Sequence, residues 1–253
     1  MTGPRTEPLS GRVALVTGGS RNIGRAVALG LAEQGADVVI IASHHGQAMD
    51  DTLAEIEALG RQGLGLAADI ADPEAVDAAV ASVGERFGRL DSLVCCAAIR
   101  PHKPFAELTF DDWRRVMAVN LDGPFLAARA CLPLLLASDQ AAIVTFGGVS
   151  AHLGAAERAN VIASKMGVVG LTRALAVEYG ERGVTANCIV PGQIDTERAA
   201  GSPPPRLSGG KGPLVGRLGK PEEVAALVCH LVGPAGRYST GQTFHLNGGS
   251  YLG

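Results

Sequence analysis

Short apolar runs alternate regularly with amphipathic segments, and this alternation is the feature that most constrains the fold. The apolar runs, predicted to be strands, are residues 13–19, 36–43, 63–70, 91–99, 141–148, 184–192 and 242–249. The amphipathic segments between them include residues 25–35, 74–88 and 165–180. Strands that are apolar on both faces and alternate with helices indicate a parallel sheet covered on both sides. We therefore expect a single-domain, doubly wound Rossmann-type α/β fold over residues 1–253, with a seven-stranded parallel sheet.

Charge and cysteine usage exclude several classes of function. The formal net charge is −3, so no global basic field attracts nucleic acid or anionic lipid, and neither a nucleic-acid nor a membrane partner is expected. The five cysteines show neither a CxxC pair nor a Cys/His ligand spacing, which argues against a metal site and favours a reduced, cytoplasmic setting. The first twelve residues contain no apolar signal core. The sequence predicts a soluble protein.

One segment departs from the regular alternation. Residues 197–213 are rich in Pro, Gly and Ser and follow the sixth predicted strand. Ligands of this fold class bind at the carboxyl ends of the strands, so an insertion there is a candidate substrate lid, which we assign to residues 197–215.

A glycine-rich turn, "VTGGSRNIGRAVA" at residues 16–28, carries the first chemical signal. It follows a predicted strand and opens a helix, where free backbone N–H groups and the helix dipole favour a pyrophosphate. Gly18 permits the tight turn, and Gly24 lets the helix approach the strand. In this setting the motif predicts a dinucleotide site.

The chain resembles the short-chain dehydrogenase/reductase family along nearly its whole length. The ordered landmarks, besides the glycine-rich turn, are Asp69 in "ADIADPEAV", Asn120 in "VNLDGPF", Lys165 in "ASKMG", "VPGQIDT" at residues 190–196, and the closing "GRLGKPEEVA" and "GQTFHLNGG". Each landmark is short, but the ordered set is specific. The resemblance implies a nicotinamide dinucleotide cofactor and a small-molecule substrate.

The resemblance also implies which residues hold that cofactor. They are Gly18, Ser20, Arg21, Asn22, Ile23, Gly24, Ser43, His44, Asp69, Ile70, Cys95, Ala97, Lys165, Pro191, Gly192, Ile194 and Thr196. Asp69 and Ile70 would frame the adenine, and residues 95–98 would line the ribose. Ile194 and Thr196 would hold the carboxamide, and Lys165 the nicotinamide ribose. Asp69 could instead cap the following helix, although Asp72 is the better candidate for that cap.

The end of the second predicted strand bears on the choice between the two cofactors. Residues 40–46, "IIASHHG", contain no acid that would accept a hydrogen bond from a ribose 2′-hydroxyl. Arg21, with Ser43 and His44, is suited to a 2′-phosphate instead. NADP(H) is therefore favoured over NAD(H), although His44 and His45 are equally compatible with plain surface positions.

Two of the four residues that family members use for catalysis are replaced. The family reduces carbonyls with Asn, Ser, Tyr and Lys, and by resemblance Asn120 and Lys165 are retained. The Tyr position is Val161, and the Ser position is Gly148. The three tyrosines of the chain lie elsewhere, at residues 179, 238 and 251. A positioned general acid contributes roughly 10²–10⁴ in rate, so the ordinary alcohol–ketone mechanism is not expected.

Several hypotheses follow for the function. The chain is an atypical oxidoreductase that transfers a hydride without the tyrosine acid, on an enoyl or carbonyl substrate. In one version Ser150, His152 or Ser164 supplies the proton, although Ser150 and His152 also fit an ordinary polar loop. Alternatively, the chain is a catalytically inactive partner subunit of a hetero-oligomeric dehydrogenase, or a structural protein that senses the dinucleotide, and in a pure pseudoenzyme the cofactor would be absent.

Two further features concern substrates and partners. Arg100 and His102 follow the fourth predicted strand and are candidates for binding an anionic substrate, or simply part of a solvated loop. The segments 111–137 and 160–180 carry more apolar surface than one sheet face needs. In the resembling family these helices pair across a two-fold axis, so a dimer or tetramer is expected, either of this chain alone or with an active paralogue.

Overall fold

All seven predicted strands form in the computed structural model, which describes residues 7–196 and 212–253. The strands are β1 (Val13–Thr17), β2 (Asp37–Ala42), β3 (Gly63–Ala67), β4 (Ser92–Cys95), β5 (Ala142–Phe146), β6 (Thr185–Pro191) and β7 (Thr243–Leu246). They pair in parallel in the order β3-β2-β1-β4-β5-β6-β7. The predicted doubly wound α/β fold is confirmed.

Helices connect the strands, as the alternation predicted. They are α1 (Asn22–Glu33), α2 (Gln47–Ala58), α3 (Pro73–Phe87), α4 (Phe110–Met117), α5 (Gly123–Leu136), α6 (Val149–Leu153), α7 (Ala159–Tyr179) and α8 (Pro221–Val232). A π-helical turn, Ala118–Asp122, joins α4 to α5. Helix α7 begins within one residue of the predicted helical segment 160–180, and its first turn already carries buried side chains.

The sheet separates two hydrophobic cores. On one face, α3 and α5 pack against the strands, and the core there includes Val76, Val80, Val83, Leu126, Cys131 and Leu135. On the other face, α1 and α8 pack together, with Val27, Leu31, Val224, Val228 and Leu231 buried. Each fully buried apolar side chain of this size contributes about 1.5–3 kcal/mol, so the two cores hold the carboxyl ends of the strands in fixed positions.

Helix α3 shows how local sequence sets an element boundary. The Asp72 carboxylate accepts hydrogen bonds from the backbone N–H groups of Glu74 at 3.0 Å and Ala75 at 3.3 Å. Pro73 occupies the first helical position, where a missing N–H costs nothing. The helix ends at Gly88, which adopts the left-handed conformation with φ of 67°. Asp72 is therefore the cap, as predicted, and Asp69 is left for another role.

Two helical stretches, Phe110–Leu136 and Ala159–Arg182, are long and apolar enough to pass a test for membrane spans by length and composition. About half of the most apolar window is buried in each case, 50% and 44% respectively. Both stretches pack against the sheet, which is how core helices of a soluble α/β protein pass the same test. They are weak evidence for a membrane protein.

The chain returns from β6 to α8 through the segment that we assigned to a substrate lid. Residues 197–211 of that segment lie outside the described residues. The five cysteines all lie within the described residues, and each is a free thiol.

Candidate functional site

The turn between β1 and α1 is built so closely that only glycine fits. Gly18 has φ of +69°, and a Cβ there would lie 2.9 Å from the Cα of Ala97. A Cβ on Gly24 would lie 2.1 Å from the carbonyl oxygen of Gly18. Both positions are therefore closed to any side chain, and the backbone at the carboxyl end of β1 is left bare for a ligand to approach.

Helix α1 begins directly above this turn. Its N-cap residue, Arg21, has extended backbone angles and makes no side-chain capping hydrogen bond within the described part of the chain. The first N–H groups of the helix, from Asn22 and Ile23 onward, therefore face the turn without a side-chain acceptor. Exposed N–H groups at a helix N-terminus above a bare glycine backbone fit a pyrophosphate group. On this geometry the site suits a dinucleotide.

A small cleft of about 80 Å³ continues from the turn to the N-terminus of α2. It is lined by Ser20, Arg21, His44 and residues 46–49. The hydroxyl of Ser43 lies 3.2 Å from Nδ1 of His44. The structure thus brings together the residues that we predicted to distinguish NADP(H) from NAD(H).

Asp69 and Ile70 lie beyond the carboxyl end of β3. One oxygen of Asp69 accepts a hydrogen bond from the N–H of Ala71 at 3.0 Å, and the other lies 3.2 Å from Arg115. The Ala71 hydrogen bond, and then Arg115, hold the pKa of Asp69 below its usual value. Ile70 is 6% exposed and packs against the backbone of Gly123. Both residues are fixed by local contacts at the edge where an adenine ring would lie.

Asn120 lies in the π-helical turn and is fully buried. Its side-chain oxygen accepts from the N–H of Ile99, and its Nδ2 donates to the carbonyl oxygen of Ile99, each at 2.9 Å. Nδ2 also lies 3.2 Å from the hydroxyl of Ser164, which in turn donates to the carbonyl oxygen of Val161 at 2.8 Å. Asn120 therefore ties the chain after β4 to α7. Ser164 is occupied by this network, so it is a poor proton donor for a substrate.

Lys165 is a buried cation of α7 at the carboxyl end of β5. The residue is 7% exposed, and its Nζ donates to the carbonyl oxygen of Phe146 at 2.7 Å. Burial, together with the positive charge of Arg100, lowers the pKa of Lys165 to about 8. The amine is therefore protonated at neutral pH but gives up its proton far more readily than an exposed lysine.

The two positions beside Lys165 that would carry catalytic hydroxyls by resemblance have none. Val161 is 2% exposed and packs in the first turn of α7. Gly148 immediately precedes α6, and a Cβ there would meet only the Cγ of Lys165, at 4.0 Å, among the described atoms. Position 148 therefore has room for a side chain, whereas position 161 is filled by an apolar one.

The structure separates His152 from the residues around Lys165. The His152 ring lies 4.6 Å from the His245 ring and 5.4 Å from the Tyr251 ring, measured between centroids. Within the described residues its Nε2 is buried without a hydrogen-bond partner. Burial, and then His245, lower the pKa of His152, so it is neutral at physiological pH. Ser150 lies two residues before His152 in the short helix α6 and is partly exposed.

The predicted carboxamide-binding residues lie in the loop after β6. Gly192 packs so closely that a Cβ would lie 2.6 Å from the Cα of Asn247. Ile194 pairs with Gly219 across an isolated β-bridge. Pro191 ends β6, and Thr196 is the last residue described before the gap.

Arg158, which no sequence pattern singled out, donates a hydrogen bond to Nε2 of His102 in the loop after β4. These residues are far apart in sequence, and no local pattern indicates that their loops meet. Cys95 and Ala97 lie where β4 ends, and the N–H of Ala97 donates to the hydroxyl of Thr17 at 3.2 Å.

Comparisons with known proteins agree with this geometry. Residues 18–251 match the family described as Enoyl-(Acyl carrier protein) reductase. A 3-oxoacyl-(acyl-carrier-protein) reductase of Vibrio cholerae is 37% identical over 245 residues, which is 96% of this chain and 99% of that protein.

Two solved structures are similar along their whole length. A short chain dehydrogenase from Burkholderia cenocepacia in complex with NADP has a TM-score of 0.88 and 37% identity, covering 96% of this chain and 99% of that one. A blue fluorescent protein from a metagenomic library in complex with NADPH has a TM-score of 0.88 and 35% identity, covering 97% and 100%. With the sheet order and the glycine turn above, these matches mean that the chain belongs to the short-chain dehydrogenase/reductase family of NAD(P)-dependent oxidoreductases.

Proposed function

We propose that this chain is an NADP(H)-dependent oxidoreductase that works without the serine and tyrosine of its family. The observation that carries this proposal is Lys165, which is buried and hydrogen-bonded to Phe146 although Val161 stands one turn before it. A buried lysine without a carboxylate partner costs several kcal/mol of desolvation. Such a cation is best explained by a ligand that needs it, and the ribose hydroxyls of a nicotinamide dinucleotide are suitable acceptors.

The preference for NADP(H) rests on the cleft beside α2. Arg21, Ser20 and His44 line it, and β2 ends in Ala42 rather than in an acid. An arginine guanidinium binds a phosphate with two parallel charge-assisted hydrogen bonds, whereas a 2′-hydroxyl would need an acceptor. The relatives whose structures contain NADP and NADPH support the same choice. When bound, the nicotinamide would supply or accept the hydride.

Lys165 is also our candidate for the group that moves the proton. Its pKa of about 8 lies close to the operating pH, which is the range in which general acids are most effective. His152 is less suited to this task because its ring lies among the rings of His245 and Tyr251. Ser150 has no partner among the described residues that would activate its hydroxyl. Asn120 positions the chain after β4 and does not carry a proton itself.

The substrate class that fits this site is an enoyl or carbonyl compound. The family match described as an enoyl reductase and the Vibrio cholerae 3-oxoacyl reductase support a thioester or a related acyl compound. In reduction of a ketone the hydride adds to the carbonyl carbon and the proton ends on the oxygen, which is the atom that tyrosine protonates. In reduction of an enoyl thioester the hydride adds to Cβ and the proton ends on Cα, so the oxygen carries charge only transiently as the enolate and its protonation by a tyrosine is not required. The absence of both hydroxyls therefore favours the enoyl class.

An inactive partner subunit is the second candidate, and one observation favours it. Three large apolar side chains on α5 and α7 are exposed: Phe125 at 47%, Met166 at 44% and Val177 at 85%. They give these helices a surface suited to another subunit, either a second copy or an active paralogue. We also propose that residues 197–215 form the substrate lid and that the protein is cytoplasmic, which suits its free thiols.

Titration of the purified protein with NADPH and NADH tests this proposal. Energy transfer from Trp113 to the reduced nicotinamide reports binding, and Lys165→Ala is the control variant. We expect micromolar binding of NADPH and turnover of an enoyl thioester, both weakened by the substitution. Binding without turnover of any enoyl or carbonyl substrate would favour the partner subunit. An absence of binding at millimolar cofactor would overturn both the assignment of the cofactor and the proposal that the chain is an oxidoreductase.

A further inference from the structure

The loop after β4 is held tightly against the entrance to α7. Asn120 binds both backbone groups of Ile99 at 2.9 Å, which fixes the chain immediately before Arg100. Further along, the N–H of Lys103 donates to the carbonyl oxygen of Glu157 at 2.9 Å. Arg100 therefore lies on a short bridge with two anchored ends. One end is held by the π-helical turn that carries Asn120, and the other lies beside the start of α7.

Three cationic groups meet at this bridge. Burial lowers the pKa of Arg158, and the nearby charge of Arg100 lowers it further. Arg100 acts on Lys165 in the same direction, after burial. The three residues differ in exposure: Arg100 keeps contact with solvent, Arg158 is partly buried and Lys165 is buried. The three charges therefore range from an exposed position to a buried one.

No carboxylate neutralises this cluster within residues 7–196 and 212–253. Arg158 donates to His102, and Glu157 lies 3.9 Å from the other nitrogen of that histidine. Arg100 makes no hydrogen bond or ion pair in the same part of the chain, although protein atoms around its guanidinium lower its pKa. Several other arginines are paired with acids, among them Arg12, Arg25, Arg61, Arg89, Arg115 and Arg217.

We propose that Arg100 and Arg158 bind an anionic oxyacid group of the substrate, a carboxylate or a phosphate, with Lys165 on the inner side of that group. The inference rests on the proposed function, because it requires the cleft to hold a substrate. The planar guanidinium fork matches two oxygens of either anion. Gly148 and Val161 carry no hydroxyl, so at these two positions no side chain competes with the cationic cluster for the anion.

Binding of small anions, measured by calorimetry without any cofactor, tests the proposal. The probes are oxamate, which carries a carboxylate next to a carbonyl group, inorganic phosphate, and oxamide as the uncharged analogue of oxamate. We expect oxamate or phosphate to bind and oxamide not to bind. Arg100→Ala and Arg158→Ala should each weaken the affinity for the anion by about tenfold to a hundredfold, because each removes a hydrogen bond to a charged group. Arg100→Lys should retain part of the affinity, and Arg129→Ala, on the outer face of α5, should retain all of it.

The two anions and the cofactor separate the outcomes. Stronger binding of oxamate indicates a carboxylate substrate, and stronger binding of phosphate indicates a phosphorylated one. Equal binding of oxamate and oxamide, or an unchanged affinity in Arg100→Ala, would overturn the inference. Displacement of the anion by 2′,5′-ADP would also overturn it, since the cluster would then serve the cofactor. NADPH titration of the same variants is independent: if wild type and variants bind NADPH alike, the proposed function stands even where the anion site fails.

Discussion

A Cβ added to Gly24 would lie 2.1 Å from a backbone oxygen, whereas a Cβ added to Gly148 would meet only a side-chain carbon, at 4.0 Å. The first glycine belongs to the nucleotide end of the cleft and the second to its reaction end. At the nucleotide end the backbone itself forms the site, so a change of residue changes the fold. At the proposed reaction end side chains would form the site, so an exchange of serine and tyrosine for Gly148 and Val161 would leave the scaffold intact.

The largest expected effect is at the nucleotide end. Gly24→Ala places a methyl group inside the contact between α1 and the glycine turn, and neither backbone segment can yield. We expect loss of measurable NADPH binding and a lower melting temperature. Gly170→Ala is the matched control: it lies in α7 with open space around it, and alanine should stabilise that helix by roughly 0.5–1 kcal/mol. Equal effects of the two substitutions would show that the turn is not sterically closed.

The reaction end should tolerate restoration of the family residues. We expect Gly148→Ser to leave the melting temperature unchanged, because position 148 has room for the side chain. Combined with Val161→Tyr, it should raise the rate of reduction of a 3-oxoacyl thioester by roughly 10² or more, the usual contribution of a positioned acid. Steady-state kinetics with NADPH measures this gain. If the wild type already reduces that substrate as fast as the double variant, the absence of hydroxyls at positions 148 and 161 does not limit the rate of reduction.

Lys165 connects the two ends, and its titration sharpens the comparison. We expect Lys165→Met to weaken the affinity for NADPH by about tenfold, because the substitution removes one charge-assisted hydrogen bond. In the wild type this contribution should be present below pH 8 and fade as the amine loses its proton above it. Fluorescence titration between pH 6.5 and 9.5 would record the change. A wild-type affinity that is as independent of pH as that of the methionine variant would place Lys165 outside the cofactor site.

The same lysine has a predictable effect on the stability of the free protein. Its folded pKa of about 8 lies below the ordinary lysine value of 10.5, so between these two pH values the unfolded chain binds more protons. The contribution of Lys165 to the free energy of unfolding therefore rises with pH in that window. Buried thiols act oppositely: burial raises the pKa of Cys95 to about 12 from 9.0. The free energy of unfolding of the wild type minus that of Lys165→Met, measured by urea unfolding, isolates the lysine and should rise between pH 7.5 and 10. A signed difference that falls as the pH rises would contradict this prediction.

The smallest expected effect concerns the choice of cofactor. Arg21→Ala should weaken the affinity for NADPH by roughly fivefold to tenfold, about 1–1.4 kcal/mol of binding free energy, and leave the affinity for NADH nearly unchanged. The reason is that Arg21 lies in the cleft suited to the 2′-phosphate and not at the adenine or nicotinamide. Parallel titrations of wild type and Arg21→Ala with both cofactors give the ratio of the NADPH affinity to the NADH affinity for each protein. An equal loss for both would assign Arg21 to the pyrophosphate instead.

Much of this protein was predictable from its sequence. The seven strands, the Asp72 cap and the closed glycine turn follow from apolar periodicity, from capping chemistry and from steric limits at single residues. All of these act between neighbours in the chain, so local sequence expresses them. The expectation that Val161 occupies the family tyrosine position also rests on local spacing, because Lys165 and residue 161 are one helical turn apart.

Only the tertiary structure decided which distant side chains share a surface. It placed His152 among the rings of His245 and Tyr251, and it brought Arg158 to His102, with Arg100 near enough to perturb both Arg158 and Lys165. These residues come from loops and helices that the sheet order brings together. Their contacts depend on the packing of whole elements and leave no periodic trace in the chain. The sequence by itself therefore determined the scaffold and the glycine-rich turn, and the tertiary fold determined which charged side chains meet after β4.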